Sequence, residues 1–220
     1  MSCTVKSILN LAVSQIGYKE SGNNVTKYSK DFDGKWWQWF NTKKQGAAWC
    51  SIFICWLFCQ DIGPSKARVM LGCPQPKNNC AAGVPYLYEY MNKKGYKVTS
   101  PKAGDIIFLN GNKHVGIVEK VKDNKVYTIE GNKSNMVKRS SYGLSSKSIY
   151  GYMRPKYEAE TTTSSGNKPV TMSLIDDLAH QCIQGKFGNY PDRKHRINSL
   201  GYGNIYTQVQ KRVNLMLYGR

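Results

Sequence analysis

Residues 46–58 read Gly46-Ala47-Ala48-Trp49-Cys50-Ser51-Ile52-Phe53-Ile54-Cys55-Trp56-Leu57-Phe58, and they leave the fold few options. The run from Ile52 to Phe58 is continuously apolar and Gly63-Pro64 ends it, the pattern of a helix with no face for water. Such a helix lies inside a domain, and the other elements must surround it. Cys50 stands at its mouth, where unpaired backbone N–H groups and the positive end of the helix dipole favour thiolate over thiol. Cysteine ordinarily packs as a small hydrophobe. Position alone separates Cys50 from Cys55 and Cys59, which fall on later turns of the same run.

A chain of 220 residues holds one good core and a small second unit. The longest apolar run is far short of the roughly 20 residues that cross a bilayer, so no membrane insertion is expected. The apolar residues from Ile8 to Ile16 are interrupted by Asn10, Ser14 and Gln15, and no small-residue cleavage site follows. This is the stripe of an amphipathic first helix closed by Gly17, not a signal peptide. Seven cysteines, an odd count without a signal peptide, point to synthesis in a reducing cytoplasm with mostly free thiols. Cys73 and Cys80 flank a loop and suit a disulfide only if the protein works outside the cell; without CxxC spacing or a nearby histidine they do not read as zinc ligands.

Net charge is +18, and it is unevenly spread. Residues 1–157 carry 24 Lys+Arg against 9 Asp+Glu, or +15, whereas the rest carries 8 against 5, or +3. A surface this basic concentrates polyanions, either nucleic acid or anionic wall polymers. The lysines are scattered singly through the chain and build no nucleic-acid motif, so nucleic acid is the poorer reading.

Residues 18–45 are polar and rich in Gly, Asn and aromatics, with Trp36-Trp37-Gln38-Trp39-Phe40 either walling a groove or covering the core. Asp31-Phe32-Asp33-Gly34 faintly echoes a calcium loop, but Lys35, Trp37 and Trp39 hold its later ligand positions, so it reads as a solvated turn. Pro85 to Lys94 forms another helix. Strands follow at 105–109, 114–121, 125–130, 136–140 and 149–153, and helices followed by antiparallel strands make an α+β layout. Residues 158–170 have linker composition and divide a first domain, 1–157, from a second, 171–220. The second begins at Ser173 with Asp176 in a capping-box-like pair and holds three short helices, Arg193–Leu200 and Ile205–Leu217 being separated by Gly201-Tyr202-Gly203.

A cysteine nucleophile needs a histidine in reach and a third group to orient the ring. His114 is the first domain's single histidine; His180 and His195 lie beyond the linker. The orienting group should come from the paired strand, where Glu130 and Asn132 point to one face. They face His114 only if paired residues share parity, which asks for a connection with an odd number of residues, most simply Asp123-Asn124-Lys125 with Asn124 left-handed. In that register Val115 and Ile117 face the core with Tyr127 and Ile129.

Ala48-Trp49-Cys50, Ala103-Gly104-Asp105-Ile106, His114-Val115-Gly116-Ile117-Val118 and Ile129-Glu130-Gly131-Asn132, in this order, resemble CHAP domains, the papain-like amidohydrolases of peptidoglycan, over roughly residues 5–155. The resemblance extends to Ile16-Gly17-Tyr18-Lys19-Glu20 and Thr26-Lys27-Tyr28. It implies Cys50 as nucleophile, His114 as general base, Glu130 as the ring-orienting residue and Asn132 as a fourth polar member. Some CHAP relatives bind calcium just before the cysteine; the residues preceding Cys50 carry no acids, and no metal or other cofactor is expected.

In the second domain Asp176-Asp177-Leu178-Ala179, Gly185-Lys186-Phe187-Gly188-Asn189, Arg193-Lys194-His195-Arg196-Ile197 and Val209-Gln210-Lys211-Arg212-Val213-Asn214 resemble the CW_7 repeat, a three-helix wall-binding module of phage lysins, with Phe187 where Trp is common. That resemblance points to Asp176 and Arg193 as muropeptide-binding residues; a helix-start acid and a surface ion pair explain them equally. Together the resemblances imply an endolysin that cuts an amide of the bacterial wall, as an N-acetylmuramoyl-L-alanine amidase or a peptidoglycan endopeptidase. It would be made in the host cytoplasm and released through a holin. The oxyanion would be held by the Cys50 N–H and a second donor, Gln38 or Gln45. Self-association through the C-terminal domain, helped by an internal start at Met172, is a further expectation. The competing classes are a non-catalytic wall-targeting protein and a basic nucleic-acid-binding protein.

Overall fold

A computed structural model describes residues 3–74, 80–159, 170–189, 192–202 and 205–219. Most of the linker, 160–169, and Gly203 lie outside the described residues. The chain divides into two compact units, residues 1–160 and 161–220.

The first unit packs five helices against a sheet: α1 (Val5–Ser14), α2 (Lys27–Asp33), α3 (Cys50–Ile62), α4 (Pro64–Leu71) and α5 (Val84–Lys93). Every α3 residue from Cys50 to Cys59 is buried, as the oily run requires. Gly63 ends α3 with φ 86°, but Pro64 does not open a loop. It occupies the first turn of α4, where its missing N–H costs no hydrogen bond and its fixed φ already suits a helix. Short α2 lies within the polar, aromatic-rich segment 18–45, to which the sequence assigned no helix, with Thr26 Oγ1 capping it by accepting from Ser29 N (3.0 Å). Trp36, Trp39 and Phe40 join the core, whereas Trp37 is exposed, so the aromatic run mostly covers the core.

Six antiparallel strands, β1 (Lys97–Val98), β2 (Ile106–Leu109), β3 (His114–Lys122), β4 (Lys125–Glu130), β5 (Lys138–Gly143) and β6 (Ile149–Met153), are ordered β1-β6-β2-β3-β4-β5. Alternation sorts the side chains onto two faces. Ile106, Phe108, Val115, Ile117 and Ile129 join the core that contains α3, while Ile107, Leu109, Val118 and Val126 form a second apolar cluster. Asp105 is buried beside this sheet and takes a two-pronged contact from Arg154, Nε to Oδ1 at 2.7 Å and Nη2 to Oδ2 at 2.8 Å. It also accepts from Lys102 N (2.7 Å), so the Ala103-Gly104-Asp105-Ile106 motif anchors the chain after β6.

The β3–β4 hairpin departs from the expected loop. Asp123 and Asn124 form a two-residue turn, both left-handed at φ 52° and 56°. Beside the turn, residues of unlike parity pair, Val121 with Val126 and Lys122 with Lys125. A bulge at Glu119 then shifts the register, and beyond it Val118 pairs with Thr128 and Ile117 with Ile129. One extra residue in the strand thus does what a third loop residue would have done. Tyr127 sits on the turn side of the bulge opposite Lys120, half-buried with the ammonium 4.9 Å from its ring centre, and Val126 takes the buried place.

The second unit contains α6 (Met172–Ile183), α7 (Asp192–Asn198) and α8 (Tyr206–Tyr218) around Leu178, Ala179, Cys182, Ile197, Ile205, Val209 and Val213. Its first cap is Thr171, whose Oγ1 accepts from Leu174 N (3.2 Å), two residues before the Ser173 start expected from the sequence.

Candidate active site

Cys50 is the first residue of α3, and its N-cap, Trp49, contributes no capping side chain. Thr4 and Thr26 cap α1 and α2, but among the described residues the N–H groups at the mouth of α3 have no side-chain acceptor. Trp49 is itself fixed: its Nε1 donates to Glu20 Oε2 (2.7 Å), and its ring lies 5.6 Å from that of Tyr28, which also meets Phe53 and Trp56. Residues 17–20 are held in turn by 135–137, through Gly17 N to Val137 O (2.9 Å) and Glu20 N to Asn135 O (3.1 Å). The segment that follows the first helix therefore ties the helix mouth to the chain leaving β4.

His114 opens β3, and Glu130 closes β4. With the register set by the bulge, both project from one face, and His114 Nε2 donates to Glu130 Oε2 at 2.9 Å. Glu130 is wholly buried, while the His114 side chain keeps 14 % of its surface. Burial favours neutral imidazole, but hydrogen bonding to Cys50 and to Glu130 and the charge of both overcome it, and the His114 pKa is pushed up to about 9. With Nε2 committed to Glu130, Nδ1 is the nitrogen left for Cys50. Burial also works against the Glu130 carboxylate, yet bonds from His114 and Thr128 with the charge of Lys133 hold its pKa down at about 2.

Two glycines make this geometry possible. A Cβ on Gly116 would stand 2.7 Å from Glu130 Cγ, so β3 must present bare backbone where the carboxylate lies across it. A Cβ on Gly131 would stand 2.6 Å from Phe53 Cβ, which is how closely the end of β4 approaches α3. The glycines in His114-Val115-Gly116 and Glu130-Gly131-Asn132 therefore serve packing at the site.

Partners that sequence reading missed surround Glu130. Thr128 Oγ1 donates to Oε1 at 2.6 Å, Tyr142 OH donates to Oε1 at 2.9 Å, and Lys133 Nζ lies 3.5 Å from Oε2. Thr128, two residues from Glu130 on the same strand, could have been found by parity; Tyr142 comes from β5, whose register no local signal reveals. Asn132 lies beyond β4 with φ 56°, and its Nδ2 donates to Asn24 Oδ1 (3.3 Å); no hydrogen bond joins it to His114 among the described residues. Gln45 spends its side-chain amide on Thr26, accepting from its N (3.0 Å) and donating to its O (2.9 Å). The Gln38 carbonyl accepts from Arg68 of α4. Neither glutamine bonds to Cys50 or His114 among the described residues.

Asp31 Oδ2 accepts from Trp56 Nε1 (2.7 Å), and the Asp33 oxygens accept from Lys44 N (2.6 Å) and Gln45 N (2.9 Å). Among the described residues no group of three or more acids, cysteines or histidines is arranged to hold a metal ion. All seven cysteines, Cys73 and Cys80 included, are free.

Residues 41–132, a span that contains Cys50, His114 and Glu130, match the family model described as the CHAP domain, and residues 176–217 match the CW_7 repeat. The chain carries a CHAP domain with a CW_7 repeat C-terminal to it. CHAP domains are hydrolases of peptidoglycan, and a CW_7 repeat implies binding to the cell wall. No curated protein matches the chain. One solved structure, described as the crystal structure of Ly7917, aligns with a TM-score of 0.42 at 20 % identity, over 69 % of this chain and 62 % of that one.

Within the CW_7 repeat the structure does not pair Asp176 with Arg193. Asp176 Oδ1 accepts from Arg212 Nε on α8, and Arg193 Nε donates to Gly188 O (2.8 Å). Both side chains are half-buried and each braces the bundle.

Proposed function

We propose that the protein is an endolysin-type peptidoglycan hydrolase that cleaves a wall amide by cysteine nucleophilic catalysis. The observation that carries this reading is that His114, held by a wholly buried Glu130, hydrogen-bonds Cys50 at an uncapped helix mouth. At neutral pH the imidazole keeps its proton, so the resting site holds an acid already loaded beside the sulfur.

The Cys50 sulfur attacks the amide carbonyl carbon, forming a C–S bond while the carbonyl oxygen takes up negative charge. The Cys50 N–H, with no intrahelical acceptor, faces that charge. Collapse breaks the C–N bond, and the leaving amine takes the proton from His114. Water then attacks the thioester, His114 recovers a proton from it, and the C–S bond breaks to release the acid and restore Cys50. Glu130 keeps its charge throughout and fixes the ring. Asn132 acts at one remove, by tying the end of β4 to Asn24.

Substrate is the peptidoglycan of a bacterial host, approached through a holin, with the CW_7 unit holding the enzyme on the wall and the basic first unit favouring anionic wall polymers. Either the muramoyl–alanine amide or a peptide bond of the stem or cross-bridge meets the chemistry. Purified Cys50→Ala should bind walls as the wild type does and fail to clear them; clearing at the wild-type rate overturns the nucleophile. Mass spectrometry of the released fragments then separates amidase from endopeptidase.

A further inference from the structure

Glu130 meets a second cation besides His114, and two hydroxyls. Its Oε2 faces both His114 Nε2 (2.9 Å) and Lys133 Nζ (3.5 Å), while its Oε1 accepts from Thr128 and Tyr142. Lys133 Nζ also donates to Tyr142 OH (3.1 Å) and lies 5.6 Å from the centre of that ring, so Tyr142 anchors the ammonium beside the carboxylate. Its side chain is 34 % exposed, so it reaches in from the surface. A lysine in the turn after β4 and a tyrosine on β5 thus close a ring of donors around one carboxylate.

We infer that Lys133, anchored by Tyr142, is a positioning residue that shares the Glu130 charge with His114 and thereby sets how readily the imidazolium gives up its proton to the leaving amine. The inference rests on the Cys50–His114 reading above. A carboxylate whose charge went wholly to His114 would hold the imidazolium too firmly to act as an efficient acid. The groups facing His114 are Cys50 from α3, Glu130 from β4 and, through Glu130, Lys133 and Tyr142; the paired residue on β2 is Leu109, which does not titrate. In agreement, burial pulls the Lys133 pKa down, but bonding to Tyr142 and the charge of Glu130 more than offset it.

The test is the pH profile of kcat/KM for wall clearing with the full chain, alongside the His114 NMR titration. Lys133→Met should move the alkaline limb and the His114 pKa upward by about half a unit or more, and Tyr142→Phe should move both in the same direction by less. Turnover at neutral pH should fall several-fold while KM is kept, and Lys133→Arg should restore the wild-type limb. A limb that stays put or moves downward in Lys133→Met overturns the inference, even if melting temperature drops. A rise in KM with an unmoved limb also overturns it and makes Lys133 a substrate contact. Cys50→Ala serves as the separate control: if it clears walls, the underlying reading fails, whereas an inert Cys50→Ala with an unmoved Lys133→Met limb rejects the inference alone.

Discussion

Among the described residues of the CHAP unit two carboxylates are buried, and they are built for opposite ends. Asp105 and Glu130 are both essentially inaccessible, and each meets a base at 2.9 Å or less. Arg154 never gives up its proton at any pH the protein meets, so the Asp105 pair can only hold parts together. His114 can, and its pair lies beside a cysteine at a helix mouth, so the same arrangement becomes a proton store. Burial of an acid therefore says little about function until the partner is named; what separates the two is whether the base can titrate and what stands on its other side.

The sharpest way to break this contrast is to neutralise each acid in turn. Glu130→Gln should lower kcat/KM by about 100-fold or more, because the ring loses its orienting charge, and the alkaline limb should move down toward the ordinary imidazole range. Asp105→Asn should leave kcat/KM of the folded protein near wild type and cost about 1–3 kcal/mol of stability, because the partly exposed Arg154 loses its charged partner, read as a fall in denaturation midpoint. If the two variants exchanged these phenotypes, the assignment of roles would be reversed.

Titration sharpens the contrast further. His114 is raised from 6.5 to about 9, so its contribution to stability is complete below pH 6.5 and disappears as pH rises through 9; Glu130 is lowered from 4.5 to about 2, so its contribution is present above pH 4.5 and disappears as pH falls through 2. Activity should accordingly decline above about pH 9 as His114 loses the proton the leaving amine needs. His114→Gln should remove the alkaline part of the stability profile, measured by denaturant unfolding across pH.

Smaller effects test the supports. Gly116→Ala drives a methyl against the Glu130 Cγ, and should cost about 1–3 kcal/mol together with a several-fold loss of activity. Asp176→Asn breaks a half-exposed pair with Arg212 and should cost less than about 1 kcal/mol; a loss of wall pelleting without loss of stability would instead make Asp176 a ligand contact.

Much of this was legible from residue order, for definite reasons. A helix as oily as α3 has to be buried, its first residue has to sit at the dipole's positive end, and a domain with one histidine offers one base. The parity condition on His114 and Glu130 was also sound, because side-chain alternation is strict. What parity could not reveal was the means: the bulge at Glu119 appears only in the pairing of β3 with β4, and no residue pattern around it marks the extra residue. The same holds for Tyr142, which reaches Glu130 only because β5 pairs with β4, and for Glu20, which reaches Trp49 across 29 residues. Helix α4 was hidden because a Gly-Pro pair can end one helix and begin another with the same two residues.

The central claim is that Cys50, and no other thiol of the chain, works with His114. The most direct measurement is iodoacetamide modification of the native full-length protein, with each cysteine's labelling read by peptide mass spectrometry against wall-clearing activity in the same samples. Cys80 is more exposed than Cys50 and supplies the internal control. Activity should fall in step with Cys50 labelling, indifferent to Cys80, and His114→Ala should slow the labelling of Cys50 alone. Full activity with Cys50 completely modified would contradict the account.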